Sequence, residues 1–243
     1  MLRANPNIGS RDELIERLRA RGYPAVPGEH PLAVRLPSRA DGLFDSEEFK
    51  TGAFVLQDET QMKVAELLAP KAKEKVLDLC AAPGGKTTHL AQIANDKAEI
   101  TAVDRTEDKI SRIRENAERL GLKSIRAIAL DPTMSPVPGG PFDAVLVDAP
   151  CSNSGVLARR PEARWRIDSL SLAKHQQQQM RLLTAGMLAA KPGGRVVYST
   201  CSVEAEENEV VVKAICETQG LATVSSAETI APAPGARADS LLR

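Results

Sequence analysis

The sequence predicts an α/β fold in which helices cover both faces of a doubly wound, mostly parallel sheet. From residue 75 onward, short apolar segments alternate with longer helical ones, as is typical of parallel strands joined by right-handed crossovers. The segment Ala144-Val145-Leu146-Val147 is apolar at consecutive positions, as a strand buried on both faces must be. Three motifs rich in polar and small residues each follow one of these strands, at the edge where parallel sheets bind ligands.

Five strands and four helices are predicted in this part of the chain. The strands cover residues 76–79, 100–103, 125–130, 144–147 and 195–198. The helices cover residues 87–94, 107–120, 168–190 and 205–218. We therefore expect a Rossmann-like domain whose ligand site lies beyond the carboxyl ends of the strands.

The N-terminal segment predicts a small α/β appendage. Ser10 and Glu13 form a capping box at the start of a helix that Gly22 ends, and a short strand follows. Such a segment is too short to hold a large core of its own, so we expect it to pack on the rest of the chain. The predicted boundary separates residues 1–50 from a main domain at 51–243.

Composition excludes several classes of protein. The 243-residue chain is 42% hydrophobic, but no run approaches the roughly 20 apolar residues that a membrane helix needs. No apolar leader opens the chain. Four cysteines without a Cys-x-x-Cys pair, and three histidines without a cluster, predict neither a disulfide framework nor a structural zinc site. We therefore expect a cytoplasmic protein with no metal and no membrane association.

Charge is balanced overall but unevenly distributed. The formal net charge is zero, yet eight Lys and Arg residues between 151 and 195 face only two acidic residues, Glu162 and Asp168. A basic stretch beside a ligand site can bind a polyanion. The alternative is an ordinary solvated helix face.

A nucleotide-type site is predicted at residues 78–87. Gly84 and Gly85 permit a tight turn and a close approach of the backbone to a ligand, and the helix behind them offers free amide groups. A phosphate-binding loop needs Gly where Cys80 stands, and the dinucleotide fingerprint Gly-x-Gly-x-x-Gly is also absent. An adenosyl-type ligand remains.

Aspartates end three of the predicted strands, at Asp104, Asp131 and Asp148. Asp104 stands where an acidic side chain can accept hydrogen bonds from both hydroxyls of a ribose; its alternative role is a helix N-cap. Asp131 or Asp148 alone could be a turn residue. Together with Asp104 they surround one end of the sheet, which turn chemistry explains less well.

Two of the four cysteines are candidates for chemistry. Cys151 and Cys201 each follow a predicted strand, and Cys201 precedes a predicted helix whose dipole can favour a thiolate. Glutamates crowd that helix start and oppose the effect. We interpret Cys216 as a small buried hydrophobic residue and Cys80 as packing within the ligand-binding turn.

These motifs resemble the signature of the Sun-type RNA 5-methylcytosine methyltransferases, and within that family the small-subunit ribosomal RNA group. They are Leu79-Cys80-Ala81-Ala82-Pro83-Gly84-Gly85-Lys86-Thr87, Asp148-Ala149-Pro150-Cys151-Ser152 and Tyr198-Ser199-Thr200-Cys201-Ser202, with Glu206-Glu207-Asn208-Glu209 after the last. The opening Leu2-Arg3-Ala4-Asn5 and the stretch from Gly52 to Glu59 resemble the same family. The resemblance covers nearly the whole chain.

The resemblance implies an enzyme that uses S-adenosylmethionine to methylate carbon 5 of cytosine in RNA through a covalent Cys–cytosine intermediate. Cys201 would be the nucleophile, Cys151 would assist product release, and Asp148 would also hold the cytosine edge. The cofactor residues would be Cys80, Ala81, Ala82, Pro83, Gly84, Gly85, Lys86, Asp104, Asp131 and Asp148. A thiolate that adds to carbon 6 makes carbon 5 able to attack a methyl group, which explains the need for a cysteine.

The loop after Cys151 is a candidate RNA contact. Arg159, Arg160, Arg164 and Arg166 can hold phosphates, and Trp165 can stack on a base. The alternative is that Trp165 packs the loop onto the domain. The resemblance implies ribosomal RNA as substrate, with transfer RNA as the alternative, a monomer, and an RNA-binding role for the appendage at 1–50.

Two other functions compete with this one. A non-catalytic RNA-binding or assembly factor can have the same fold, and a DNA cytosine-5 methyltransferase would use Cys151 as its nucleophile and leave Cys201 unexplained. The presence of both cysteines together with Lys86 and Asp148 favours the RNA enzyme.

The chain departs from the family pattern at several positions. Asn153 stands where the family usually has Gly, Ala205 where it usually has Pro, and Asp131 is followed by Pro132 rather than by a small residue. The family's closing strand is reduced to residues 239–242, which puts the last strand in doubt.

Overall fold

A computed structural model describes the chain at residues 1–38, 40–134, 136–157, 160–219, 227–230 and 239–242. Two sheets organise these residues, a four-stranded one near the N-terminus and a seven-stranded one that holds the main domain. In the part of the chain that is described, no helix is long and apolar enough to cross a membrane.

The main sheet confirms the predicted Rossmann-like class. Its strands are β5 (Lys75–Leu79), β6 (Glu99–Asp104), β7 (Ile125–Ala129), β8 (Phe142–Asp148), β9 (Ala190–Ser199), β10 (Ala227–Ile230) and β11 (Asp239–Leu242). They lie in the order β10-β11-β9-β8-β5-β6-β7. Five neighbouring strands, β9, β8, β5, β6 and β7, are parallel. Strand β11 pairs with β9 in the antiparallel direction, and β10 pairs with β11 in the same way. The order reverses between β5 and β8, which is where such sheets bind ligands.

Helices cover both faces of this sheet. They are α3 (Glu59–Leu68), α4 (Gly85–Ile93), α5 (Glu107–Arg119), α6 (Ser169–Ala189) and α7 (Glu209–Gln219). Val76 of β5 packs with α3 and α4 on one face, and its neighbour Leu77 packs with α6 and α7 on the other. Because successive strand residues point to opposite faces, the apolar runs in the sequence reflect burial on both sides.

The small sheet is antiparallel, with strands β1 (Leu2–Ala4), β2 (Val26–Pro27), β3 (Ala33–Arg35) and β4 (Phe54–Leu56) in the order β2-β3-β1-β4. Helices α1 (Arg11–Ala20) and α2 (Glu47–Lys50) accompany it. Helix α1 has the predicted capping box between Ser10 and Glu13, and buries Leu14, Ile15 and Leu18. Since β4 belongs to this sheet, the sheet extends beyond residue 50; the domain boundary itself stays a prediction.

Arg3 ties the small sheet to the main domain. Its side chain is fully buried, and it donates hydrogen bonds to Gln57 Oε1 at 2.5 Å, to the Gly85 carbonyl at 3.1 Å and to Thr88 Oγ1 at 3.0 Å. Burial lowers the pKa of the guanidinium to about 9. Strand β1 is thereby fixed to the first turn of α4, which borders the site described below.

The C-terminal part differs from prediction in two ways. The helix predicted at 205–218 is divided, with a short 3-10 helix at Ala205–Glu207 before α7 begins at Glu209. The closing strand that the sequence left in doubt is present, because β11 pairs with Tyr198 and Ser199 of β9.

Gly52 lies at the junction between the small sheet and helix α5, and its surroundings allow a prediction about stability. Gly52 has φ +76°, and a Cβ atom there would lie 2.0 Å from the Arg119 carbonyl oxygen, whereas Gly22 has φ +86° with open space around it. Gly22→Ala should cost about 1 kcal/mol of unfolding free energy, because its backbone is left-handed. Gly52→Ala should cost about 2–4 kcal/mol, because it adds a backbone clash. Urea unfolding measures both; equal losses would contradict this account of the junction.

Candidate active site

A cavity of about 490 Å³ opens at the carboxyl ends of β5, β6, β8 and β9. Most of the residues that the sequence singled out line it: Cys80, Ala81, Ala82, Pro83, Gly85, Lys86, Asp104, Asp148, Cys151, Cys201 and Arg160. The strand ends thus bring together segments that lie more than 100 residues apart in the sequence.

The turn between β5 and α4 forms one wall of the cavity. Cys80 and Gly84 have positive φ values of +61° and +98°, and α4 begins directly afterwards at Gly85. A Cβ atom on Gly84 would lie 3.3 Å from the Cα atom of Ile113, so a side chain would crowd α5. Cys80 is partly buried against the core, and burial raises the pKa of its thiol, as the packing interpretation requires.

Asp104 lies at the end of β6 and is almost completely buried. Its Oδ2 accepts a hydrogen bond from the Ala82 amide at 3.0 Å, and its Oδ1 accepts from the Arg105 amide at 2.7 Å and from Lys109 Nζ at 2.9 Å. The N-cap of α5 is Thr106, so the helix-cap alternative for Asp104 is wrong. The carboxylate instead joins the end of β6 to the ligand-binding turn.

Asp78 begins the site predicted at residues 78–87, but the sequence predicted no role for its side chain. It is fully buried on β5, and its Oδ2 accepts a hydrogen bond from Thr87 Oγ1 at 2.6 Å, while Oδ1 has no partner among the described residues. Burial raises its pKa to about 7, and the negative charges of Asp148 and Asp104 add to the effect. The only signal in the sequence was a carboxylate within an otherwise apolar strand.

Lys86 and Asp148 form an ion pair across the cavity. Lys86 Nζ lies 2.7 Å from Asp148 Oδ2, and Ser199 Oγ donates to Asp148 Oδ1 at 2.7 Å. Burial alone would lower the pKa of Lys86, but the Asp148 carboxylate outweighs it and the pKa lies above its ordinary value. Lys86 therefore keeps its charge, and both oxygens of Asp148 are held in place.

The two cysteine side chains meet at the edge of the cavity. Cys151 Sγ lies 3.0 Å from Cys201 Sγ, and Cys201 Sγ donates to Asn153 Oδ1 at 3.1 Å. Cys151 is buried, and the pKa of its thiol lies well above the ordinary value. The larger cause is its hydrogen bond to Cys201, and the second is burial. Cys151 is thus suited to hold a proton rather than to attack.

The expected helix dipole behind Cys201 is not supported by the structure. The segment after Cys201 first forms the 3-10 turn at Ala205–Glu207, and α7 begins only at Glu209. One of the glutamates that the sequence placed at a helix start, Glu207, is instead fully buried.

Glu207 links the two cysteine loops, which are the loop after β8 that contains Cys151 and the loop after β9 that contains Cys201. The sequence predicted no role for its side chain. Its carboxyl group accepts hydrogen bonds from the Ser152 amide at 2.9 Å, from Ser152 Oγ at 2.5 Å and from Gln179 Nε2 at 3.0 Å. Ser152 Oγ also lies 3.3 Å from Ser202 Oγ, in the Cys201 loop. These contacts join the residues next to Cys151 and Cys201 and so help to fix the distance between the two cysteines.

Asp131 lies apart from the other predicted cofactor residues. It is exposed and accepts hydrogen bonds from Thr133 of its own turn, which lower its pKa, and it is not among the described residues that line the cavity. Its role with the cofactor stays a prediction.

The basic loop borders the cavity at one described residue. Arg160 lines it, and Arg164, Trp165 and Arg166 follow on an exposed 3-10 helix at Pro161–Arg166. Trp165 is 86% exposed, so the alternative that it packs the loop onto the domain is wrong. Arg159 lies outside the described residues.

No group of His, Cys, Asp and Glu side chains suited to a metal ion occurs in the described ranges. The buried carboxyl groups of Asp78 and Asp104 at the cavity wall are instead suited to an organic ligand that carries hydroxyl or cationic groups.

Comparisons with known proteins identify the family of this chain. A family model described as 16S rRNA methyltransferase RsmB/F matches residues 65–236. The ribosomal RNA small subunit methyltransferase B of Salmonella newport is 38% identical over 94% of this chain and 53% of its own length. The probable enzyme of the same name from Bacillus subtilis is 36% identical over 89% of this chain and 48% of its own length.

The chain therefore spans about half the length of the curated relatives it matches. A crystal structure of a methyltransferase homolog protein from Pyrococcus horikoshii superposes with a TM-score of 0.79 at 27% identity, over 99% of this chain and 84% of that one. Together these matches confirm the family that the motifs predicted. The chain belongs to the RsmB/F family of 16S rRNA methyltransferases.

Proposed function

We propose that this chain transfers a methyl group from S-adenosylmethionine to carbon 5 of a cytosine in RNA. The observation that carries the proposal is the pair of thiols 3.0 Å apart beside a cavity that also holds the Lys86–Asp148 ion pair. One thiol can bond to the base while the other exchanges a proton with it, which is what covalent activation of a pyrimidine requires.

The cavity fits S-adenosylmethionine, whose bound form supplies the reactive methyl group. Asp104 is placed at the end of β6, where a carboxylate accepts ribose hydroxyls. Asp78 Oδ1 is a buried oxygen without a partner among the described residues, and it is suited to the cationic amino group of an amino acid. The turn at Gly84 lets the backbone approach the ligand closely.

In the reaction, the Cys201 thiol loses its proton, which passes to the ring nitrogen, and the sulfur forms a bond to carbon 6 of cytosine. The electron pair of the carbon 5–carbon 6 double bond moves toward carbon 5. Asp148, oriented by Lys86 and Ser199, is placed to hold the ring edge and to support a proton on the ring nitrogen. Carbon 5 then carries the electron density that attacks the methyl group.

Release of the methylated RNA requires the bond between carbon 6 and the Cys201 sulfur to break. The carbon 6–sulfur bond breaks with its electrons returning to Cys201, and Cys151 gives its proton to that sulfur. The resulting Cys151 thiolate accepts the proton from carbon 5, whose electron pair restores the double bond. Cys151 lies 3.0 Å from the leaving sulfur and can exchange a proton with it. The target base has to be out of any stack, since the thiol attacks from above the ring plane.

We propose ribosomal RNA of the small subunit as the substrate, because the curated relatives carry that substrate in their names. Such a substrate places the reaction in the cytoplasm. Binding of RNA by the appendage at 1–50, and a monomeric enzyme, remain predictions of the sequence.

Removal of the cofactor carboxylate should weaken binding of S-adenosylmethionine. Asp104→Ala should raise the dissociation constant by about tenfold or more, since a hydrogen bond to a charged group contributes roughly 1.5–3 kcal/mol. Calorimetry measures it. Asp96→Ala is the matched control, because the Asp96 carboxylate also accepts two backbone amides but lies outside the cavity lining. Tight binding of ATP with none of S-adenosylmethionine would overturn the cofactor assignment.

The basic loop should contact RNA phosphates. Changing Arg160 and Arg164 together to Ala should raise the RNA dissociation constant and flatten its dependence on salt, by a slope of about 0.7 for each phosphate that the variant no longer neutralises. Lys71 and Lys73, exposed on the loop before β5 at the opposite edge of the sheet, provide the control pair. A salt slope that stays at the wild-type value would show that the loop does not hold phosphates.

Variants that lack one or the other thiol should stop the reaction at different steps. Cys201→Ala should give neither methylation nor covalent RNA, because no bond to carbon 6 forms. Cys151→Ala should complete attack and methyl transfer and then stall, leaving an adduct that survives denaturing electrophoresis and depends on S-adenosylmethionine. An adduct that accumulates in Cys201→Ala instead would exchange the two roles, and full activity in both variants would exclude covalent catalysis.

A further inference from the structure

Asn153 occupies a backbone position that most side chains avoid. Its φ and ψ are +63° and +25°, in the left-handed region. Glycine adopts this region without strain, and Asn is among the few other residues that tolerate it. The residue that the family usually has there therefore meets a backbone requirement, and Asn meets the same requirement while adding a side chain.

That side chain bridges the two cysteine loops. Asn153 Nδ2 donates to the Cys151 carbonyl oxygen at 3.0 Å, and Oδ1 accepts from Cys201 Sγ at 3.1 Å. Because a carbonyl oxygen can only accept, the first bond fixes which way the amide faces. Oδ1 is then the atom presented to the sulfur, and it can accept the thiol proton in a hydrogen bond but cannot take it away as a base does.

We propose that Asn153 is a positioning residue that restrains the Cys201 thiol in the resting protein. The restraint rests on the proposed function in one respect, the assignment of Cys201 as the nucleophile. While the Cys201 thiol donates to Oδ1, its hydrogen is held toward Asn153, and this hydrogen bond has to break before the sulfur can attack as a thiolate. A glycine at position 153 offers the sulfur no such acceptor.

The test is the reactivity of Cys201 in the absence of RNA and cofactor. Iodoacetamide is added to the whole protein at fixed pH, and peptide mass spectrometry follows modification of Cys201 over time. Asn153→Gly keeps the backbone conformation and removes the amide, so labelling of Cys201 should accelerate by about three- to tenfold, the equivalent of one hydrogen bond.

Asn153→Asp should change the rate of Cys201 labelling in the opposite direction. One carboxylate oxygen would accept the thiol proton in a charge-assisted hydrogen bond, and the negative charge would oppose a thiolate, so labelling should become slower than in the wild type. A residue that only filled space would not give opposite effects with Gly and Asp. If Asn153→Gly does not fold, the slower labelling of Asn153→Asp still decides the proposal.

Asn95→Gly is the matched control, because Asn95 also has a left-handed φ, of +53°, and is exposed away from the cavity. It should label at the wild-type rate. Wild-type labelling in Asn153→Gly, or equal acceleration in Asn95→Gly, would overturn the proposal. Neither result would affect the proposed methylation, which the cysteine variants test through adduct formation, so the two failures are distinguishable.

Discussion

The parallel pairing of β8 with β9 is the constraint on which the site depends. Its register places Asp148 opposite Ser199, and the Ser199 hydroxyl donates to the Asp148 carboxylate. Both strands end there, and Cys151 and Cys201 follow within three residues. Because a strand advances about 3.3 Å per residue, a slip of one residue in this register would shift the start of one cysteine loop relative to the other. The strand register therefore sets where the two loops begin.

The buried carboxyl group of Glu207 holds the two loops beyond that register. A carboxyl group out of contact with water is costly unless donors surround it, and here Ser152 and Gln179 supply them while Tyr198 donates to the Glu207 carbonyl at 2.7 Å. These donors converge only when both loops are in place. Formation of one loop therefore stabilises the other, and the position of Cys151 becomes coupled to that of Cys201.

Most of the fold could be predicted from sequence because its signals are local. Apolar runs located all five parallel strands, and the motifs at their ends located the cavity, Asp104, Asp148 and both thiols. The roles of Asp78 and Glu207 could not be predicted, because burial of a carboxyl group depends on contacts with Thr87 or Ser152 that only the folded chain creates. For the same reason, charge pattern alone could not show that the helix expected soon after Cys201 would begin only at Glu209.

The two thiols have the same chemistry but different surroundings. Neighbouring thiols cannot easily both ionise, since the second negative charge would face the first at 3.0 Å. Cys151, more deeply buried and bonded to Cys201, has its pKa raised and keeps its proton. The Cys201 sulfur is half-buried and also reaches the cavity. This difference suits the proposed division into one nucleophile and one proton donor, and the deeper burial of Cys151 favours Cys201 as the nucleophile.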